Sequence, residues 1–156
     1  MHYALITLKH KWYVLQACLT LRVPLWRALI HDLSKFTAAE LPHYERQFYG
    51  DKADPVGFAR AWLQHQNSNP HLWELWITRS DHSKGAACAP NGCLEMPETY
   101  VREMVADWMG ASRAYTGSWY MAKWLMANLP KMQLHPNTRA KVSEILEELG
   151  YEDNFK

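Results

Sequence analysis

The sequence predicts a mainly α-helical fold, a bundle with room for one small β-hairpin around residues 73–96. Three observations predict it. Apolar residues recur at three- and four-residue spacings over most of the chain. Helix start and stop residues, among them Pro24, Gly50, Asp54-Pro55, Pro97, Pro136 and Gly150, fall between those stretches. The stretch richest in strand formers, "WELWITR" at 73–79, is short and precedes an Asn91-Gly92 turn signal.

Each element follows in order. Residues 3–21 carry Ile6, Tyr13, Val14, Ala17 and Leu21 at helical spacing. Pro24 suits a first helical position, which predicts a second helix over 24–35. Thr37 and Glu40 have the spacing of a capping box for a third, reaching about Tyr49 and ending at Gly50, with Pro42 near its start. Asp54 and Pro55 form a cap and first turn for a helix to about Asn67, where "NSNP" breaks the chain. Strand 73–79 and a return strand "CLEM" flank the long-looped hairpin. Pro97 starts a helix to about Gly110, Ser118 caps one to Asn128, and 136–149 forms the last before Gly150. No repeat, low-complexity tract or linker divides the chain, so residues 1–156 are expected to form one domain.

Composition narrows the function classes. A chain of 156 residues with 48% apolar and 21% charged residues is globular, with eight tryptophans to fill a core. Its formal charge of +1 supplies no basic field for nucleic acid. Three cysteines, Cys18, Cys88 and Cys93, are an odd count and no disulfide framework. The apolar N-terminus is interrupted by Lys9, His10 and Lys11 and lacks a small-residue cleavage site, so neither a membrane span nor a leader is expected. A reducing cytoplasm is the default.

Several ionisable residues occupy positions where the pattern calls for Leu or Val. His10 shares a stripe with Ile6, Val14 and Ala17. Asp32 follows Leu25, Ala28 and Leu29, with His31 one step round. His65 completes the spacing of Phe58, Ala61 and Trp62, and Asp107 lies among Tyr100, Met104, Trp108 and Ala111. His71 follows the "NSNP" break. A buried carboxylate without a partner costs several kcal/mol, so these groups pair or bind a cation. Imidazole with carboxylate suits one or two divalent transition metals: Mn, Fe, Co, Ni or Zn. Singly, each has a plainer explanation, a satisfied core histidine or an aspartate bonded to a neighbouring helix.

The ordered set His10, His31-Asp32 and Asp107 resembles the HD-domain superfamily of metal-dependent phosphohydrolases, over about residues 8–110. "HDLSK" is similar to the "HDIGK" of its HD-GYP branch. The chain also resembles a family of small, uncharacterised, often phage-encoded proteins through "HDLSKF", "AWLQHQNSNPHLWELW" and "MPETYVREMVADWMGASRAYTG". That family often has two histidines after Asn-Pro; here His71 is followed by Leu72. The HD resemblance implies a helical fold in which His10, His31, Asp32 and Asp107 hold one metal. It implies that Asp32, His65 and His71 hold a second, with Asp32 bridging. It also implies a phosphate contact for Lys35 and a small phosphate substrate, a nucleotide first.

The resulting expectation is a phosphohydrolase with Asp32 and Lys35 as catalytic groups. Arg113 and Tyr115 in "GASRAYTG" are candidates to contact the substrate. Plainer roles stand beside these: Lys35 as a helix C-terminal charge, Arg113 as a surface residue, Tyr115 as a core or rim residue. Two other functions fit the same residues, an HD-type di-iron oxygenase and a non-catalytic binding protein with a structural metal. Cys88 and Cys93 with His82 lack a second ligand pair at zinc-finger spacing and read as free cysteines. Glu74 and Glu98 are general-acid candidates or solvated carboxylates, and "EILEELGYEDNFK" is an amphipathic end with an acidic tail. His2, His43 and His135 have no supporting pattern.

Overall fold

The computed structural model describes residues 2–78 and 87–151. Seven α-helices form the described structure: α1 (His2–Thr20), α2 (Leu25–Ile30), α3 (Leu41–Tyr49), α4 (Pro55–Ser68), α5 (Glu98–Thr116), α6 (Ala122–Asn128) and α7 (Pro136–Glu148). The mainly α class predicted from periodicity is the class observed. Among the described residues no helix is long and apolar enough to cross a membrane.

The two 19-residue helices, α1 and α5, form the central pair. Gly110 explains how closely they approach. A Cβ there would lie 2.5 Å from Val14 Cγ2 and 2.7 Å from the Val14 backbone nitrogen. The glycine expected to end this helix is instead its contact point with α1, and α5 continues to Thr116, ending at left-handed Gly117. Val14, Cys18, Val101, Val105, Ile145 and Leu146 lie in the main core, which α7 closes. A second apolar cluster joins α1, α3 and α4 through Tyr3, Tyr44 and Ala61. The polar site lies where these helices converge.

The segment around His31 departs from expectation. The helix predicted over 24–35 stops at Ile30. His31 is extended (φ −48°, ψ 128°), Asp32 is left-handed (φ 55°, ψ 21°), and Leu33–Phe36 form a 3-10 turn. Lys11 stabilises the break: its ammonium donates to the carbonyls of Leu29 and His31, which have no helical donor. Asp tolerates the left-handed region better than most L-residues because its short side chain bonds locally. The helical periodicity of this stretch hid a turn.

Other boundaries shift for identifiable reasons. Thr37 and Glu40 make no capping box: Thr37 Oγ1 donates to the Ser34 carbonyl, and Glu40 caps nothing and turns into the core. Asp54 is the expected cap of α4, accepting from the Gly57 N–H. Among the described residues the hairpin reduces to one antiparallel bridge, Ile77 to Cys93, with Thr78 N–H donating to Gly92 O and Leu94 N–H to Trp76 O. Residues 73–76 form a 3-10 turn instead of a strand. Arg79, His82 and the tail beyond Tyr151 lie outside the described residues. Ser118 makes a local turn with Tyr120 N–H, and α6 starts at Ala122.

Candidate metal centre

Five elements deliver the polar residues to one place. His10 comes from α1, His31 and Asp32 from the break after α2, His65 from α4, His71 from the turn after it, and Asp107 from α5. His10, His31, Asp32, His65 and His71 are buried, and Asp107 keeps 20% of its side chain exposed. Ligand-type atoms of His10, His31, Asp32 and Asp107 lie within 4.8 Å of one another, as do those of Asp32, His65 and His71.

Asp32 stands between the two groups. Its Oδ2 is 3.5 Å from both His10 Nε2 and His31 Nε2. Its Oδ1 is 3.5 Å from both His65 Nε2 and His71 Nε2. Asp107 Oδ1 completes the first group at 2.9 Å from His10 Nε2 and 3.4 Å from His31 Nε2. One carboxylate thus gives one oxygen to each group. The left-handed turn makes this possible: it rotates Asp32 out of helical register, so that His31 and Asp32 point the same way from adjacent positions.

Four of the inner atoms have no hydrogen-bond partners among the described residues. His10 Nε2, His31 Nε2, His71 Nε2 and Asp32 Oδ1 are all buried without one. His10 Nε2 approaches Asp107 closely but without hydrogen-bond alignment. A buried polar atom left unpaired costs about 1–3 kcal/mol. Four such atoms converging, three imidazole nitrogens and one carboxylate oxygen, fit a cation.

The outer nitrogens of His31 and His65 are held, while those of His10 and His71 make no hydrogen bond among the described residues. Glu103 Oε1 lies 3.1 Å from His31 Nδ1 and 3.4 Å from His71 Nδ1. Its other oxygen accepts from Arg27 Nε at 2.9 Å and Nη2 at 2.7 Å. An N–H at His31 Nδ1 directed to Glu103 leaves its Nε2 lone pair facing inward, the tautomer that ligation requires. His31, His71 and Glu103 also satisfy a metal-ligand spacing. Arg27 already occupies that carboxylate and would repel a cation there, so Glu103 serves as an acceptor. Glu40, fully buried, places Oε2 3.1 Å from His65 Nδ1 without a hydrogen bond; Ser34 Oγ at 3.2 Å and Asn69 Nδ2 at 3.0 Å hold that nitrogen.

Charges in the metal-free cluster balance locally. Burial opposes ionisation of Asp32, but His31, Lys35, His10 and His71 outweigh it and hold the carboxyl well below its usual range. Asp107 is likewise held low, through its contacts with His10 and His31. Burial disfavours charge on His31 too, yet Asp32, Asp107 and Glu103 push it up to about 9. His10 moves up for the same reason, whereas burial and the neighbouring His31 push His71 down. Glu103 falls to about 2 because His31 and His71 outweigh its burial. Lys35 Nζ donates to Asp32 Oδ2 at 2.5 Å, and that carboxylate raises its pKa against the effect of burial.

The remaining candidates divide. Tyr115 lines a cavity beside His71 and Asp107. Arg113 does not reach the cluster: its guanidinium lies over Tyr13 and Trp119 and donates to the Gly117 carbonyl. It reads as the end of α5. Glu98 is bound to Arg102 on the surface. His43 pairs with Asp54, and His135 caps α7 through Nδ1. Glu103, Glu40 and Arg27 were not anticipated. Glu103 carried a signal, standing four residues before Asp107 on the same helical face.

A family model matches residues 1–148. The chain belongs to this family of unknown function, DUF5662. The matched span contains every residue of the cluster together with Glu40 and Glu103. No curated protein and no solved structure matches the chain.

Proposed function

We propose that this member of DUF5662 is a metal-dependent phosphohydrolase with a dinuclear His/Asp centre, acting on a small phosphate ester. The observation that carries the proposal is the carboxylate of Asp32, with one oxygen toward each of two histidine-containing groups. His10, His31, Asp32 and Asp107 would hold one ion and Asp32, His65 and His71 the other. Such ions, when bound, bring the pKa of water toward ~7 and stabilise charge on phosphoryl oxygens.

The chain's own residues supply the rest. Glu103 orients the His31 imidazole, and Ser34 and Asn69 orient that of His65, through their outer nitrogens. Lys35 places a cation next to Asp32, where it offsets charge gathering on the phosphoryl oxygens. Asp107, the partly exposed member, marks the side from which substrate enters, next to the cavity. In the overall reaction water forms a new P–O bond, the ester P–O bond breaks, and the alcohol leaves with a proton. The HD resemblance makes nucleotides the first substrate class to screen.

The test is metal content by plasma mass spectrometry on wild type and Asp32→Ala, followed by phosphate release from p-nitrophenyl phosphate and a nucleotide panel. Near two ions per wild-type chain, lost together in the variant with phosphate release, supports the proposal. No metal after reconstitution, or two ions with no phosphate release from any ester, overturns it. Iron with substrate-dependent oxygen uptake replaces it with an oxygenase.

A further inference from the structure

A cavity of about 300 Å3 opens beside His71 and Asp107. Its walls include Trp62, Trp73, Trp108 and Trp124, with Tyr115 and Glu74. That volume is at the small end for a ligand site, where ~300–1,000 Å3 is common. Trp108 and Trp73 belong to the core and its margin, but core packing does not explain the other walls. Trp62 and Trp124 are about two-fifths exposed, at 42% and 41%, and Tyr115 is 66% exposed. Trp108 and Trp124 meet at a ring-centroid distance of 5.4 Å and an angle of 47°, presenting tilted faces instead of a flat stack.

The charge of the lining is one-sided. Among the described residues two carboxylates, Glu74 and Asp107, border the cavity, and no lysine or arginine does. Glu74 Oε2 is buried without a hydrogen-bond partner among the described residues. Burial pushes this carboxyl up, against the opposing hydrogen bond from Gln66 and the nearby His65. Aromatic faces carry negative quadrupole density, and a carboxylate adds to it. A neutral heteroaromatic ring would stack on tryptophan equally well, but it would leave the carboxylate charge unanswered.

We propose that this cavity is a binding site for an organic ammonium group, held by the tryptophan faces and by Glu74. The site stands on the cavity alone. Its assignment as the pocket for the ammonium end of a phosphate ester, with the phosphate toward Asp107, rests on the hydrolase reading above.

The experiment titrates choline, and its uncharged carbon isostere 3,3-dimethylbutan-1-ol, into the full chain by calorimetry, metal-free and manganese-loaded. Choline is expected to bind at least about tenfold more tightly than the isostere, since the shapes match and only the charge differs. Glu74→Gln should bring the two to within about threefold. Trp124→Leu, at a half-exposed wall, should weaken choline more than the isostere. Equal binding of both probes to wild type, or binding of adenosine 5′-monophosphate with none of choline, overturns the proposal without requiring any variant to fold. Phosphocholine separates the two readings. Choline binding without phosphocholine hydrolysis keeps the ammonium site and removes its link to the reaction. Ester hydrolysis without choline preference keeps the hydrolase and removes the ammonium site.

Discussion

Glu103→Gln is the most informative single change. Its carboxylate faces the outer nitrogens of His31 and His71, one from each proposed ion group, while its second oxygen holds Arg27. Glutamine keeps the volume and one acceptor but loses the charge. Loss of such an outer partner lowers metal affinity by about 10–100-fold. Because Glu103 touches both groups, both ions should weaken. Glu40→Gln is the control: Glu40 approaches only His65, so only the second ion should weaken. Stability also separates them. Glu103→Gln leaves the Arg27 guanidinium buried against a neutral amide, and breaking a buried pair costs about 3–5 kcal/mol. Replacing Arg27 with Met in the same chain removes that charge and should restore much of the loss. The assay is competition with a chromophoric chelator at fixed pH, with urea unfolding of the metal-free proteins alongside. Two outcomes would refute the reasoning: less than about threefold weakening of either ion in Glu103→Gln, or equal weakening of both ions in Glu40→Gln.

Three further predictions follow from the same geometry. At Asp32, the left-handed backbone (φ 55°) makes Asp32→Gly less destabilising than Asp32→Ala by about 1–2 kcal/mol, although both lose both ions; equal melting temperatures would show that the turn relaxes. Lys35→Met should retain both ions but lower kcat for phosphate release by about 10²–10³. A loss of metal instead would make Lys35 a support for Asp32 alone. In the metal-free protein, His31 titrates near about 9 against its ordinary 6.5, so its contribution to stability is full below 6.5 and is lost as pH rises through about 9. Metal binding displaces that proton, so affinity should climb over the same window, and the rise in melting temperature on adding manganese should grow from pH 6.5 to 9. A flat or shrinking increment in scanning fluorimetry contradicts this. On the acid side Glu103, held at about 2, stabilises the fold above its usual 4.5, and that contribution disappears as pH falls through about 2.

Much of this protein is local and therefore readable along the chain. The helices of α1, α4, α5 and α7 follow from periodicity and from caps such as Asp54 and Gly150, because 3.6-residue spacing and backbone capping involve near neighbours only. Four of the six ligand candidates, His10, Asp32, His65 and Asp107, were legible for a related reason: a polar residue on an apolar stripe conflicts with its own helix, and the conflict is visible without a fold. Their meeting in two groups around Asp32 depends on how five elements pack, and only the tertiary structure decides that. The same holds for the turn at His31–Asp32, where helical periodicity continues across a backbone that leaves the helix because Lys11, twenty residues earlier, takes the His31 carbonyl. It holds for Glu40, whose spacing from Thr37 suits a cap but whose carboxylate is buried beside His65. Arg113 shows the reverse case, a residue near the site in sequence that the roll of α5 carries toward Tyr13 and Trp119. Local rules select which residues are out of place; long-range packing determines what each of them meets.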